Sequence, residues 1–134
     1  MVLSGSSPAL VSLVFPAYNE VENTDAMVAF FREIATKFPA YVFEMITVDD
    51  GSTDGTAERV LELANQGERV RVVSLSRNFG SHAALSAGLS EARGAAAITL
   101  SADRQEPIEA IERFLAEWAN GADIVWGLRS VRVQ

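Results

Sequence analysis

The sequence predicts an α/β fold built on a mostly parallel sheet. Short apolar runs rich in β-branched residues alternate with segments of helical periodicity. Each apolar run breaks off into a cluster of polar residues, and most helical segments close on a glycine or an Asn-Gly pair. The order β-α-β-α-β-α-β-α-β implies right-handed crossovers, with helices on both faces of the sheet. The strands then all point the same way, and the polar clusters gather at their carboxyl ends, where open parallel sheets bind ligands.

The elements follow in order. Residues 1–8 are small and polar and are expected to be a loose end, with one domain over residues 9–134. Ala9 to Phe15 reads as the first strand, stopped by Pro16, and Pro16 to Glu20 as its exit loop. Asn23 or Thr24 is placed to cap a helix running to about Phe38, with Met27, Phe30, Phe31, Ile34 and Phe38 as its apolar stripe. Phe43 to Val48 is the second strand. A helix from about Thr53 to Asn65 is expected to bury Ala57, Val60, Leu61 and Ala64. Val70 to Leu75 is the third strand, Ser76 to Gly80 its exit, and Ser81 to Arg93 an alanine-rich third helix. Ala95 to Leu100 is the fourth strand. Pro107 suits the first turn of a fourth helix, whose stripe is Ile108, Ile111, Leu115 and Trp118. Asp123 to Trp126 reads as a short fifth strand. Val131 to Gln134 carries no stop signal, so the chain is expected to be truncated after about the fifth strand of a larger domain.

Composition narrows the function. The 134 residues suit one domain, and 49% of them are hydrophobic, enough for a core. The net charge is −7 and Lys37 is the one lysine among eleven basic residues, which disfavours nucleic acid as a partner. There is no cysteine, so any metal would be held by oxygen ligands or by His82. His82 falls at the start of the third helix and reads as a solvated or satisfied helix-end residue. No apolar run approaches the ~20 residues of a membrane span. The expected location is cytoplasmic, peripheral to the inner face of the membrane in a longer protein.

The chemistry lies at the strand ends. Ile46-Thr47-Val48 runs into Asp49-Asp50-Gly51 and then a group of hydroxyl and acidic residues suited to capping a helix. An isolated Asp-Gly is usually only a turn. Here three further clusters fall at matching strand ends: Tyr18/Asn19/Glu20, Arg77/Asn78 and Asp103/Gln105. The first offers hydrogen bonds to a base or sugar edge, the second carboxylate acceptors for base N–H groups and ribose hydroxyls. Arg77 and Asn78 supply a cation and amide donors. Asp103 and Gln105 are hard oxygen ligands for Mg²⁺ or Mn²⁺, although Asp103 to Pro107 also reads simply as a loop favouring a helix N-terminus. A divalent cation would bridge such acids to a diphosphate they otherwise repel. No Gly-x-Gly-x-x-Gly follows the first strand, and there is no Gly-Lys-Ser/Thr loop and no Gly-x-Ser-x-Gly elbow.

Four ordered motifs carry a resemblance. Phe15 to Glu20, Val48 to Thr56, Ser76 to Gly80, and Ala102-Asp103-x-Gln105-Glu106-Pro107 resemble family 2 glycosyltransferases of the GT-A (Rossmann-like) fold. The likeness is closest to the dolichyl-phosphate mannose synthase and bactoprenol glucosyltransferase branch and runs from Leu10 to about Arg132. It implies an inverting, metal-dependent hexosyltransferase that takes a UDP- or GDP-linked sugar to a polyprenyl phosphate or a saccharide. By that resemblance Pro16, Ala17, Tyr18, Glu20, Asp49, Asp50 and Ala102 bind the donor, and Arg129 lies near its diphosphate. Asp103 is the catalytic aspartate, and Asp103 and Gln105 hold Mg²⁺ or Mn²⁺. Ser101 stands where the first aspartate of the Asp-x-Asp motif is usual, Arg104 replaces an apolar residue, and Glu106 replaces an aspartate.

Two readings stay open on sequence alone. One is the donor-binding half of an enzyme; the other is a non-catalytic nucleotide-binding or assembly module of the same fold. A phosphotransfer domain built on Asp49 and Asp50 lacks the lysine such sites use. An incomplete sheet exposes an edge and an apolar face, so the chain is expected to self-associate. Association with a membrane surface would come through regions outside this sequence.

Overall fold

The computed structural model describes residues 8–103 and 106–121. Strands β1 (Ala9–Ala17), β2 (Tyr41–Asp49), β3 (Val70–Ser74) and β4 (Ala96–Thr99) alternate with helices α1 (Thr24–Lys37), α2 (Thr56–Leu63), α3 (Ser81–Glu91) and α4 (Ile108–Ala119). A short 3₁₀ turn, Val21–Asn23, precedes α1. The sheet has the order β3-β2-β1-β4, and every pairing is parallel. Ala17 lies opposite Asp49, and Asp49 opposite Ser74, so three strands end level at one edge.

β1 and β2 lie in the middle and are buried on both faces, as their near-continuous apolar sequences require. Successive side chains alternate between two cores. Val11, Leu13 and Phe15 of β1 join Phe43 and Met45 of β2 on one face, packed against Met27, Phe30, Phe31 and Ile34 of α1, Val60 of α2, and Ile111 and Leu115 of α4. Val14, Ile46 and Val48 face the other way, against Ala84 of α3. The α/β class, the parallel sheet and the helices on both faces agree with the sequence.

Several boundaries differ, each for a physical reason. β1 continues through Pro16 to Ala17. The carbonyls of Leu10 and Val14 accept from Ala95 and Leu100 on the β4 side, so even-numbered residues of β1 bond that neighbour. Pro16 is the next residue on that side, beyond the last β1–β4 pair, Val14 with Thr99. Its missing N–H therefore falls where pairing has stopped. Helix α2 begins at Thr56, with Gly55 in a left-handed conformation at its cap, and ends at Leu63. Ala57 and Val60 are buried as expected, but Leu61 is 55% exposed. It sits about 100° round the helix from Val60, and Leu63 packs against the core instead. Asn23 occupies the cap position of α1 without a side-chain capping bond. Pro107 is the cap of α4, in an extended conformation, not its first turn. The expected fifth strand, Asp123 to Trp126, lies outside the described residues.

The end of the sheet opposite the polar clusters is closed by a buried carboxylate. Glu44 is 3% exposed. It accepts from the Ser12 hydroxyl at 2.5 Å, the Arg93 N–H at 2.8 Å and the Arg71 guanidinium at 3.2 Å. Arg71 also reaches Glu91 at the end of α3, and the Gly94 N–H donates to Ser12. Burial alone would raise the Glu44 carboxyl. The bonds from Ser12, Arg93 and Arg71 outweigh it and hold the carboxyl below its ordinary value.

Two outcomes follow for stability. A Cβ on Gly88 of α3 would lie 2.5 Å from Val14 Cγ1 and 2.8 Å from Val48 Cγ2, both in stiff, buried β-branched side chains. Gly88→Ala is therefore expected to destabilise the fold by about 1–3 kcal/mol, read from urea unfolding. A carboxyl whose pKa is lower folded than unfolded adds stability above the unfolded value, near 4.5, and loses it as pH falls through the folded pKa. Glu44→Gln is expected to lower stability near neutral pH and to flatten the decline seen in acid. Urea midpoints across a pH series for both proteins check this, and equal acid slopes would contradict it.

Candidate functional site

The level strand ends bring three exit loops together. The Asp50 N–H donates to the Ala17 carbonyl at 2.9 Å and the Leu75 N–H to that of Asp49 at 2.9 Å, so the ladder carries one step past the strands. A cleft of about 220 Å³ opens there. Pro16, Ala17 and Tyr18 line it from β1, Asp50 from β2, and Asn78, Gly80, Ser81 and Ala84 from the β3 exit and the start of α3.

The two adjacent aspartates point to opposite faces, as successive strand residues must. Asp49 Oδ1 accepts the Ser52 N–H at 2.9 Å and tightens the glycine turn. Asp50 is 4% exposed and faces the third loop. Its Oδ1 accepts the Phe79 N–H at 2.8 Å, and its Oδ2 accepts the Gly80 N–H at 3.0 Å and the Asn78 amide at 3.3 Å. A buried carboxylate is thus neutralised by N–H donors, with no cation involved. Gly51 makes the joint possible. It has φ of 79°, and a Cβ there would lie 2.3 Å from the Arg77 carbonyl carbon and 2.4 Å from the Asn78 nitrogen.

The first loop is held against the second. Asn19, Glu20 and Val21 donate their N–H groups to Ser52 Oγ, Thr56 Oγ1 and Asp54 Oδ2. Burial would raise the Asp54 carboxyl, but the Thr56 hydroxyl and the N–H groups of Val21 and Thr56 hold it below its ordinary value. Glu20 is half-buried and accepts the Asn23 amide at 2.7 Å. Tyr18 is 47% exposed on the cleft wall. Arg77 lies with its guanidinium 4.4 Å from the centre of the exposed Phe79 ring.

The structure brings together Pro16, Ala17, Tyr18 and Asp50 among the residues expected from sequence. Glu20 and Asp49 lie within two residues of cleft-lining positions but do not line the cleft themselves. Ala102 is buried in the main core, so its side chain acts as packing. Asp103 is exposed beyond the end of β4. Gln105 and Arg129 lie outside the described residues. Sequence reading passed over Ser81 and Ala84 in the cleft and the contact beneath Gly51. The glycine directly after two aspartates was the available signal for that contact.

Among the described residues no cluster of three or more histidine or acidic side chains is arranged to hold a metal. Asp103 nonetheless suits one kind of site. Mg²⁺ is commonly bound by one or two carboxylates, with substrate phosphates and water completing its shell. An exposed carboxylate beyond the end of β4 fits that donor set.

Comparison with known proteins bears on the family and the fold. The chain is 38% identical over 122 residues to an uncharacterized glycosyltransferase of Synechocystis, covering 91% of this chain and 38% of that protein. It is 42% identical over 123 residues to an undecaprenyl-phosphate 4-deoxy-4-formamido-L-arabinose transferase of Pseudomonas fluorescens, covering 91% and 36%. It therefore spans well under half the length of these relatives. In fold it is similar to a mannosyltransferase from Pyrobaculum calidifontis in complex with GDP-Man and Mn²⁺, at a TM-score of 0.65 and 25% identity, covering 76% of this chain and 30% of that one. The S. aureus protein TarS matches at a TM-score of 0.67 and 23% identity, covering 82% and 32%, a likeness of fold. A sequence model for glycosyl transferase family 2 matches residues 12–134, and the chain belongs to that family.

Proposed function

We propose that this chain binds the nucleotide-sugar donor in a glycosyltransferase. The whole protein transfers the sugar from a UDP- or GDP-linked donor to a polyprenyl phosphate, with inversion at the anomeric carbon. The observation that carries the reading is the cleft at the level ends of β1 and β2, walled by Tyr18 and floored by Asp50, in a chain of this family. The acceptor rests on the undecaprenyl-phosphate transferases among the relatives, and the donor on the GDP-Man bound by a structural neighbour.

In this reading Tyr18 offers a ring and a hydroxyl to the nucleoside, and the remaining lone pairs of Asp50, the aspartate that lines the cleft, accept from base N–H or ribose hydroxyls. Asp103, with Gln105, would hold Mg²⁺ or Mn²⁺, whose chemistry there is to neutralise the diphosphate as its negative charge grows. By the family resemblance Arg129 would add a second positive charge toward the diphosphate. A polyprenyl phosphate oxygen is already anionic, so the reaction makes little demand on a general base. The site's carboxylates are then free for binding.

Calorimetric titration with UDP, GDP and CDP, with and without Mn²⁺, tests the reading on wild type and Asp103→Ala. One nucleotide is expected to bind in preference, more tightly with Mn²⁺. Asp103→Ala is expected to lose the metal-dependent gain, on the order of tenfold or more in Kd. A folded chain that binds none of the three would overturn the donor-site reading and leave a non-catalytic module of the same fold.

A further inference from the structure

We infer that Asn19, which does not line the cleft, is a positioning residue that fixes Tyr18 on the cleft wall through an interlock with the loop after β2. The inference rests on the donor-site reading above.

Asn19 has φ of 52°, the one positive value outside glycine among the described residues. That conformation is costly for most side chains and tolerated best by asparagine and aspartate after glycine. It turns three successive N–H groups toward one neighbouring loop. Asn19 donates to Ser52 Oγ at 2.8 Å, Glu20 to Thr56 Oγ1 at 3.0 Å, and Val21 to Asp54 Oδ2 at 3.1 Å. The Asn19 side chain completes the exchange, its Oδ1 accepting the Thr53 N–H at 2.8 Å. Both the backbone angle and the carboxamide of this residue are thus used in joining the loops.

Tyr18 stands between this interlock and the sheet. On one side Ala17 accepts the Asp50 N–H; on the other Asn19 is bound to Ser52 and Thr53. Tyr18 is 47% exposed, so the bonded backbone on either side, more than packing round the ring, fixes where the side chain starts. Asn19 is exposed and absent from the cleft lining, so its effect on a nucleotide must pass through Tyr18 and Ala17.

The two uses of Asn19 can be separated. Asn19→Gly keeps the left-handed backbone and deletes the acceptor; Asn19→Asp keeps both. Glu44→Gln weakens the fold at the opposite end of the sheet, away from the cleft and from both loops, and serves as a control for stability alone. Nucleotide binding is titrated with UDP and GDP in the presence of Mn²⁺, and amide hydrogen exchange is followed at Thr53. Asn19→Asp is expected to bind within about twofold of wild type, and Asn19→Gly roughly tenfold more weakly with faster exchange at Thr53. Glu44→Gln is expected to bind as wild type does. Wild-type affinity in Asn19→Gly would overturn the inference alone, as would an equal loss in Glu44→Gln. A wild-type chain that binds neither nucleotide overturns the donor-site reading and this inference with it.

Discussion

Where parallel strands end level, the N–H groups of the loops leaving them have lost their ladder partners and still need acceptors. That constraint governs the polar edge of this fold. The loop after β2 supplies oxygen atoms to both its neighbours. Ser52, Asp54 and Thr56 of the second loop receive the N–H groups of Asn19 to Val21, and Asp50 receives those of Phe79 and Gly80. Three segments far apart in sequence become one surface, and the cleft is the space they leave between them. A ligand meeting this surface finds its walls already bonded to each other, which lowers the ordering cost of binding.

The two ends of the sheet solve the same problem by different means. At the far end Glu44 is satisfied by a hydroxyl, an N–H and the Arg71 guanidinium, and it ties the close of α3 to the first residues of the strands. At the cleft Asp50 is satisfied by N–H groups and an amide alone. A guanidinium at Asp50 would have filled the space that the cleft occupies. Using backbone donors keeps the carboxylate compact and leaves the strand ends open. Gly51 and Gly88 permit this compactness, one letting the third loop touch the second and the other seating α3 on Val14 and Val48.

The fold was legible because short continuous apolar runs alternate with helical apolar patterns from Ala9 to Ala119. The position of the site was legible because polar clusters terminate those runs. Pro16 misled, since a proline signals a break unless its side of the strand is already unpaired, and that depends on the length of β4. Leu61 misled because α2 begins at Thr56, so the residues before it belong to a loop that Asp54 organises through tertiary bonds. The division of labour between Asp49 and Asp50 was closed to sequence reading. The two carboxylates are chemically alike, and only the pleat sends one to Ser52 and the other to Phe79 and Gly80.

The charge balance of the edge bears on the ligand. A diphosphate brought to a chain of net charge −7 faces Asp49, Asp50, Asp54 and Asp103 at or near the strand ends. Hydrogen bonds from N–H groups spread the charge of the first three over the loops. Asp103 is exposed, and none of the hydrogen bonds or ion pairs described above engages it. Arg77, the basic residue of the third loop, lies against Phe79 at the surface and does not line the cleft. The remaining repulsion falls on one exposed carboxylate, and in the donor-site reading proposed above a divalent cation held there would offset it.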